Sequence, residues 1–404
     1  MNRMMIVAAM AAGLAACDRQ APAPAGDEGA ETADSTDVDF DAIARRVVTE
    51  SAGVKPGEVV VINGSIAEPR LLEALQAAVL LAGGHPIVAI SFPRANKRAL
   101  TQAPMEYLRQ PPRADLAMLE AGDVFISAGA VEDPELFSDV DEARLNAVRE
   151  ANQAAGEAAA RKRARSVDIG QAGGIPTPAY AKSRNADYKA MRAMFFRALA
   201  VPSNVIAQRG AVVSGKMQPG QQVRLRSSSG TDLTFKLAAG RSRVSTGRAA
   251  DNDTGQGMAS AFLPAGDFYA CVDPASANGV LVSPADRFRG KPVRNLRVTF
   301  QNGAITSITA DEEADALQRY FAELDEGGKR MSLINIGLNP ESRPLKGSDY
   351  MSWEMSGVPT VVVGNAMWAG CAHGGEASQQ FHQLGATLAA GSAEVIKDGN
   401  LVVN

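Results

Sequence analysis

Between residues 57 and 92 the chain reads GEVVVINGS, then EPRLLEALQAAVLLAGG, then HPIVAISF. The first and last runs are β-branched and of strand length. Between them, apolar residues recur at helical spacing up to a Gly-Gly stop. Strand, helix, strand is the beginning of a parallel α/β sheet. The pattern continues with a strand in DVFISAGA and helices in DEARLNAVREANQAAGEAAARKRA and NADYKAMRAMFFRALAV. Residues 39–200 are therefore expected to form one α/β domain, opened by the helical DFDAIARRVVTES.

The second half follows a different period. QQVRLRSSSGTDLTFKLAAGRSRVSTG alternates apolar and polar residues, and KPVRNLRVTFQNGAITSITAD predicts a hairpin turning at Asn302-Gly303. EEADALQRYFAELDEGG predicts one helix, VPTVVVGN a buried strand, and AEVIKDGNLVV a closing hairpin around Asp398-Gly399. Residues 201–404 are expected to be mainly antiparallel β. In MSLINIGLNPESRPLKGSDY, Leu333, Ile334 and Ile336 read as core on a short strand before a glycine-punctuated loop.

Ahead of both domains, MNRMMIVAAMAAGLAAC has a basic Arg3, a short apolar run and the ending Leu14-Ala15-Ala16-Cys17. The run is too short to span a bilayer and fits a secretory signal peptide over residues 1–17. The ending resembles the lipobox of bacterial lipoproteins, in which the cysteine is lipidated after cleavage. This predicts a lipid anchor on Cys17 and a periplasm-facing protein of the bacterial cell envelope. Asp18 resembles an inner-membrane retention signal. Residues 18–38, rich in Pro, Ala, Gly and acids, predict a disordered tether.

The net charge of -4 gives no basic footprint for nucleic acid. The one dense basic run, RKRARS at Arg161–Ser166, reads as a solvated helix end. His85, between a helix stop and a strand, reads as a turn residue.

CAHGGEASQQFHQL, from Cys371 to Leu384, gathers a thiol, two histidines and an acid. These side-chain types ligate metals. Three stretches in order, FLPAGDFYACVDPASANGVLV, MSLINIGLNPESRPLKGSDY and GGEASQQFHQLGATL, resemble the thermophilic-type metalloaminopeptidases, the family of aminopeptidase T and aminopeptidase S. With GEVVVINGSIAEPRLLEALQAAVLLAGGHPIV, PTPAYAK and SSGTDLTFKL, the resemblance covers most of residues 45–404.

The resemblance implies a pair of divalent metals in the second domain, and several ligand positions depart from it. The acid of the family's P.GE segment falls on Asp267, and its H.D histidine on His382. The glutamate of GE..IGTN falls on Leu333. The histidine of H.ALG falls on Thr360 or Val361, the aspartate of H.D on Leu384, and a tyrosine near Met367 or Trp368. A related branch, mononuclear iron ring-cleaving dioxygenases, uses two histidines and an aspartate, and this chain lacks one such histidine and the H.D aspartate.

The expectation is a membrane-anchored family member with a largely lost metal pair, non-canonical or inactive and binding a peptide or small ligand. The alternative is an active aminopeptidase. It would use a single zinc, cobalt or iron ion at Asp267 and His382, with His373 and Glu376 as weaker candidates. The family also suggests a homodimer. With Cys17 lipidated, Cys271 and Cys371 are left as a pair flanking the inherited site in an oxidising compartment, which predicts a disulfide between them.

Overall fold

The computed structural model describes residues 38–170, 173–240, 242–252, 258–288, 291–371, 375 and 378–403. The expectations for the signal peptide, Cys17, Asp18 and most of the tether, and for His373 and Glu376, fall outside these residues. The described chain divides into two compact units. One runs up to Ser183 and takes in Arg248–Leu263; the other is Arg184–Gly247 together with the chain from Pro264 onward.

The strands in chain order are β1 (Val59–Gly64), β2 (His85–Ile90), β3 (Val124–Ala128), β4 (Arg165–Ile169), β5 (Gln222–Arg226), β6 (Asp232–Lys236), β7 (Arg243–Ser245), β8 (Ala259–Leu263), β9 (Asp267–Cys271), β10 (Asn278–Phe288), β11 (Lys291–Gln301), β12 (Ala304–Thr309), β13 (Met331–Gly337), β14 (Pro359–Gly364), β15 (Ser378–His382), β16 (Thr387–Ala390), β17 (Ala393–Lys397) and β18 (Asn400–Leu401).

The first unit holds a parallel sheet in the order β2-β1-β3-β4-β8. Its middle strands are buried through Val60, Val61, Ile62, Val124, Ile126 and Val167, as a sheet covered on both faces requires. Helix Pro69–Leu81 makes the β1–β2 crossover and buries Leu71, Leu75 and Val79.

Two sequence expectations are corrected here. Only the first residue of RKRARS belongs to the preceding helix, Glu142–Arg161. Arg165 opens β4, pairs with Glu58, and donates from Nη1 to the Ala52 carbonyl at 3.0 Å. It is a partly buried structural cation. The second concerns the single division at residue 200, which meets a chain that passes between units at 183/184, 247/248 and 263/264. Helix Tyr188–Leu199 belongs with the second unit, and β8 is the edge of the first sheet. Apolar periodicity marks a helix or strand but does not say which sheet it joins.

The second unit is built on two antiparallel sheets, β12-β11-β10-β6-β5-β16-β17-β18 and β15-β14-β13-β9-β7. They share a core in which Val223, Leu225, Leu233, Phe235 and Leu281 of the larger sheet meet Phe268, Ile334, Ile336, Val361 and Phe381 of the smaller one. Helices Ser203–Lys216 and Ala314–Glu323 add Ile206, Val213, Leu317 and Phe321 to it. Both expected hairpins form, with Asn302 and Gly303 at φ 50° and 83° and Asp398 and Gly399 at 46° and 75°. These left-handed pairs are what a two-residue hairpin turn needs.

Side chains alternate across a strand, so the residues between those core positions point to the other face of the small sheet. That face carries the candidate site.

Candidate functional site

Strand pairing sets the positions on the outward face. His382 is opposite Thr360, Thr360 opposite Asn335, Asn335 opposite Tyr269, and Tyr269 opposite Arg243. One row further along, Ser245 pairs with Asp267 and Asp267 with Gly337. In the other direction Cys271 pairs with Leu333, Leu333 with Val362, and Val362 with Gln380. Asp267, Leu333, Thr360 and His382 thus share one face. Val361 is on the opposite face, in the core, so of those two residues only Thr360 lies on the site face.

Leu333 is fully buried and packs with Tyr269, Val362, Ala366, Ala369 and Cys371. It fills the middle of the face with hydrocarbon. Leu384 behaves otherwise. It follows β15 in a turn and is 44% exposed, a surface residue and not core.

Cys271 and Cys371 form the expected disulfide, with Cα atoms 5.5 Å apart. The bond removes Cys371 as a thiolate ligand. Tyr269, Trp368 and Trp353 line up beside it, with ring centroids 5.8 Å and 5.6 Å apart in that order. Trp353 Nε1 donates to Gln380 Oε1 at 2.6 Å. Met367 and Trp368 are exposed at the edge of this aromatic cluster.

Asp267 and His382 occupy β9 and β15, with β13 and β14 between them. Three strand spacings come to roughly 14 Å, and the two residues are also a row apart. Donors to one zinc ion lie about 2 Å from it, so these two do not meet on a single ion. His382 shares a 2.8 Å hydrogen bond with Thr360 through Nδ1. Burial pushes its pKa down to about 4, which keeps the imidazole neutral.

Asp267 has a neighbour that sequence reading passed over. Glu354, on the loop before β14, is buried; its carboxylate accepts from Ser342 Oγ at 2.9 Å and from Ser352 Oγ. Burial holds the Asp267 carboxyl well above the usual aspartate range, and Glu354 pushes it the same way against a hydrogen bond from Asn335. Burial also raises Glu354.

The loop reaches this position because Gly337 has no side chain. A Cβ there would meet the Met355 carbonyl oxygen at 1.9 Å. Asn339 N donates to the Glu354 carbonyl at 2.9 Å, and Met355 and Val358 pack with Met194 of helix Tyr188–Leu199. Glu354 lies in SDYMSWEMSG, which has no strand or helix period. Asn335 lies inside an apolar run that reads as core. The signal for Asn335 was an amide inside an apolar run; Glu354, among serines and Asp349, gave none.

Among the described residues, no three His, Cys, Asp or Glu side chains are placed to hold a metal ion together. Asp267 and His382 do not fit a shared ion at their separation, and between them Leu333 and Thr360 offer buried hydrocarbon and a hydroxyl.

Comparison with known proteins places this geometry among relatives. The family profile for thermophilic metalloprotease (M29) matches residues 36–355. The aminopeptidase AmpS of Bacillus subtilis (strain 168) is 29% identical over 123 residues, a stretch that covers 30% of this chain and 28% of that protein. The wild-type AmpT structure from Thermus thermophilus superposes with a TM-score of 0.64 at 14% identity, covering 90% of this chain and 98% of that one. A 2,5-dihydroxypyridine dioxygenase structure from Pseudomonas putida KT2440 gives 0.55 at 16% identity, covering 90% and 97%. At these identities the two structures establish the fold.

Proposed function

The chain belongs to the thermophilic metalloprotease (M29) family, and we propose that it is a member that has lost the family's metal pair and binds a peptide or small ligand without cleaving it. The observation that carries this reading is the row Leu333–Val362 beside Thr360–His382. Hydrocarbon and a hydroxyl occupy the positions where the family resemblance calls for a carboxylate and an imidazole, and the retained histidine is engaged with that hydroxyl. Function is argued from the site here, since one fold hosts many chemistries.

The aromatic cluster supports a binding role. Tyr269, Trp353 and Trp368 give a rigid apolar surface with polar ends, the kind of surface on which ligands and peptide side chains dock. The reading extends to the envelope: Cys17 carries the lipid, residues 18–38 act as the tether, and the folded units face the periplasm from the inner membrane. A Cys17→Ser change that leaves the protein in the membrane fraction would count against the anchor.

The enzymatic test is elemental analysis of the purified protein combined with hydrolysis of leucyl substrates, with and without added zinc, cobalt or iron. The reading expects no chelator-sensitive turnover. Stoichiometric metal with hydrolysis abolished by His382→Ala overturns it and supports the active aminopeptidase.

A further inference from the structure

Two buried acceptor atoms on the site face have no hydrogen-bond partner, Asp267 Oδ1 and Asn335 Oδ1. Asp267 is 7% exposed and Asn335 is 0% exposed. The two residues are diagonal neighbours on β9 and β13, since Tyr269 is opposite Asn335 and Asp267 opposite Gly337. The Asn335 amide nitrogen donates to the Trp353 carbonyl at 2.9 Å, which ties Asn335 to the loop that carries Glu354. An unpaired buried acceptor leaves its desolvation uncompensated. A native protein that leaves two of them together beside a second buried acid calls for something that supplies positive charge or donors there. Glu354 is that second acid, delivered by the loop that lies across Gly337.

We propose that Asp267, Asn335 and Glu354 hold one hard divalent cation through oxygen alone, of the calcium, magnesium and manganese class, in place of the family's pair of ions. The inference rests on the reading that the pair is lost. Its donors differ in kind from an inherited set containing imidazole. Two carboxylates and an amide carbonyl are the ligands that calcium, magnesium and manganese prefer over zinc. Two carboxylates also match the charge of one divalent ion and no more. His382 is remote from the set and tied to Thr360, and Leu333 closes the adjoining space to a second ion. The cation would bind the loop carrying Glu354 and Trp353 to β9 and β13, and so hold the aromatic cluster in place.

The test uses the full chain, extracted in detergent and stripped with chelator. Calorimetric titrations with calcium, magnesium, manganese and zinc chlorides are run on the parent and on Asn335→Leu, Glu354→Gln and His382→Gln. The expected result is one ion per chain, with calcium or manganese bound at least tenfold more tightly than zinc. Asn335→Leu and Glu354→Gln should each weaken binding tenfold or more, and His382→Gln should change it less than twofold. Circular dichroism in chelator checks that each variant is folded, and Mn²⁺ electron paramagnetic resonance on whichever variants fold reports the same site directly. No binding by any of the four ions overturns the inference, as does parent-like binding in folded Asn335→Leu or equal loss in His382→Gln. None of these outcomes touches the loss of the family's metal pair. Two zinc ions per chain with leucyl hydrolysis overturns both.

Discussion

Thr360 and His382 face each other across β14 and β15, with the threonine hydroxyl 2.8 Å from Nδ1. The imidazole is held neutral by burial, at about 4 against 6.5 in the unfolded chain. The unfolded chain therefore takes up this proton first as the pH falls. The histidine's contribution is whole above pH 6.5 and is lost as the pH drops toward 4. Thermal unfolding between those limits should show a falling Tm in the parent and a flatter profile in His382→Gln.

Asp267 titrates in the opposite sense. Its folded pKa is raised well above 3.8, so the cost of its charge is absent at low pH and grows as the pH rises. Asp267→Asn removes that cost. In chelator at pH 7 to 8 the variant should be more stable than the parent toward urea, and the difference should vanish near pH 4.

The disulfide joins residues separated by 100 positions. On the chain-entropy account a loop of that length stabilises by up to about 4–5 kcal/mol, and measured losses are commonly about 2–4 kcal/mol. The Cys271→Ser/Cys371→Ser double variant should lose about that much in equilibrium unfolding. Adding reductant should lower the parent's midpoint and leave the double variant's unchanged.

Gly337→Ala should be costly for steric reasons alone. The new methyl meets the backbone of Met355, its carbonyl oxygen at 1.9 Å and carbonyl carbon at 2.4 Å, and backbone has little room to yield. A loss of about 3 kcal/mol or more is expected, on the scale of severe overpacking. Near-ultraviolet circular dichroism should also change, because Trp353 and Glu354 ride on the displaced loop.

Arg165→Met leaves Glu58 partly buried without its cation and takes donors from the Ala52 and Gly53 carbonyls. Removing one member of such a pair costs about 3–5 kcal/mol when fully buried, so about 2–3 kcal/mol is expected for this half-buried one. Hydrogen exchange should locate the loosening around β1 and β4.

Period and turn chemistry made much of the fold legible beforehand. Val59–Gly64 and Val124–Ala128 are β-branched runs that allow little but strand, and the Asn302-Gly303 and Asp398-Gly399 pairs specify their turns locally. β8 was missed because its ladder partner, β4, lies about ninety residues earlier, and no local pattern encodes that pairing. At the site, Asp267, His382 and the cysteine pair could be read because collinear motifs fixed their positions. Which of Thr360 and Val361 faced the site needed the strand register, since one residue of slip exchanges the two faces. Glu354 required knowing where an aperiodic loop crosses the sheet.

The larger antiparallel sheet joins β5 at residues 222–226 to β16 at 387–390, and the site face joins β7 and β9 to β15. Neither ladder can close until almost the whole second unit has been synthesised, so the contact order is high and the loop entropy is met late. The candidate site is among the last parts of the molecule to exist. Until β15 docks, β14 presents an open apolar edge, and the folding chain is exposed to mispairing there.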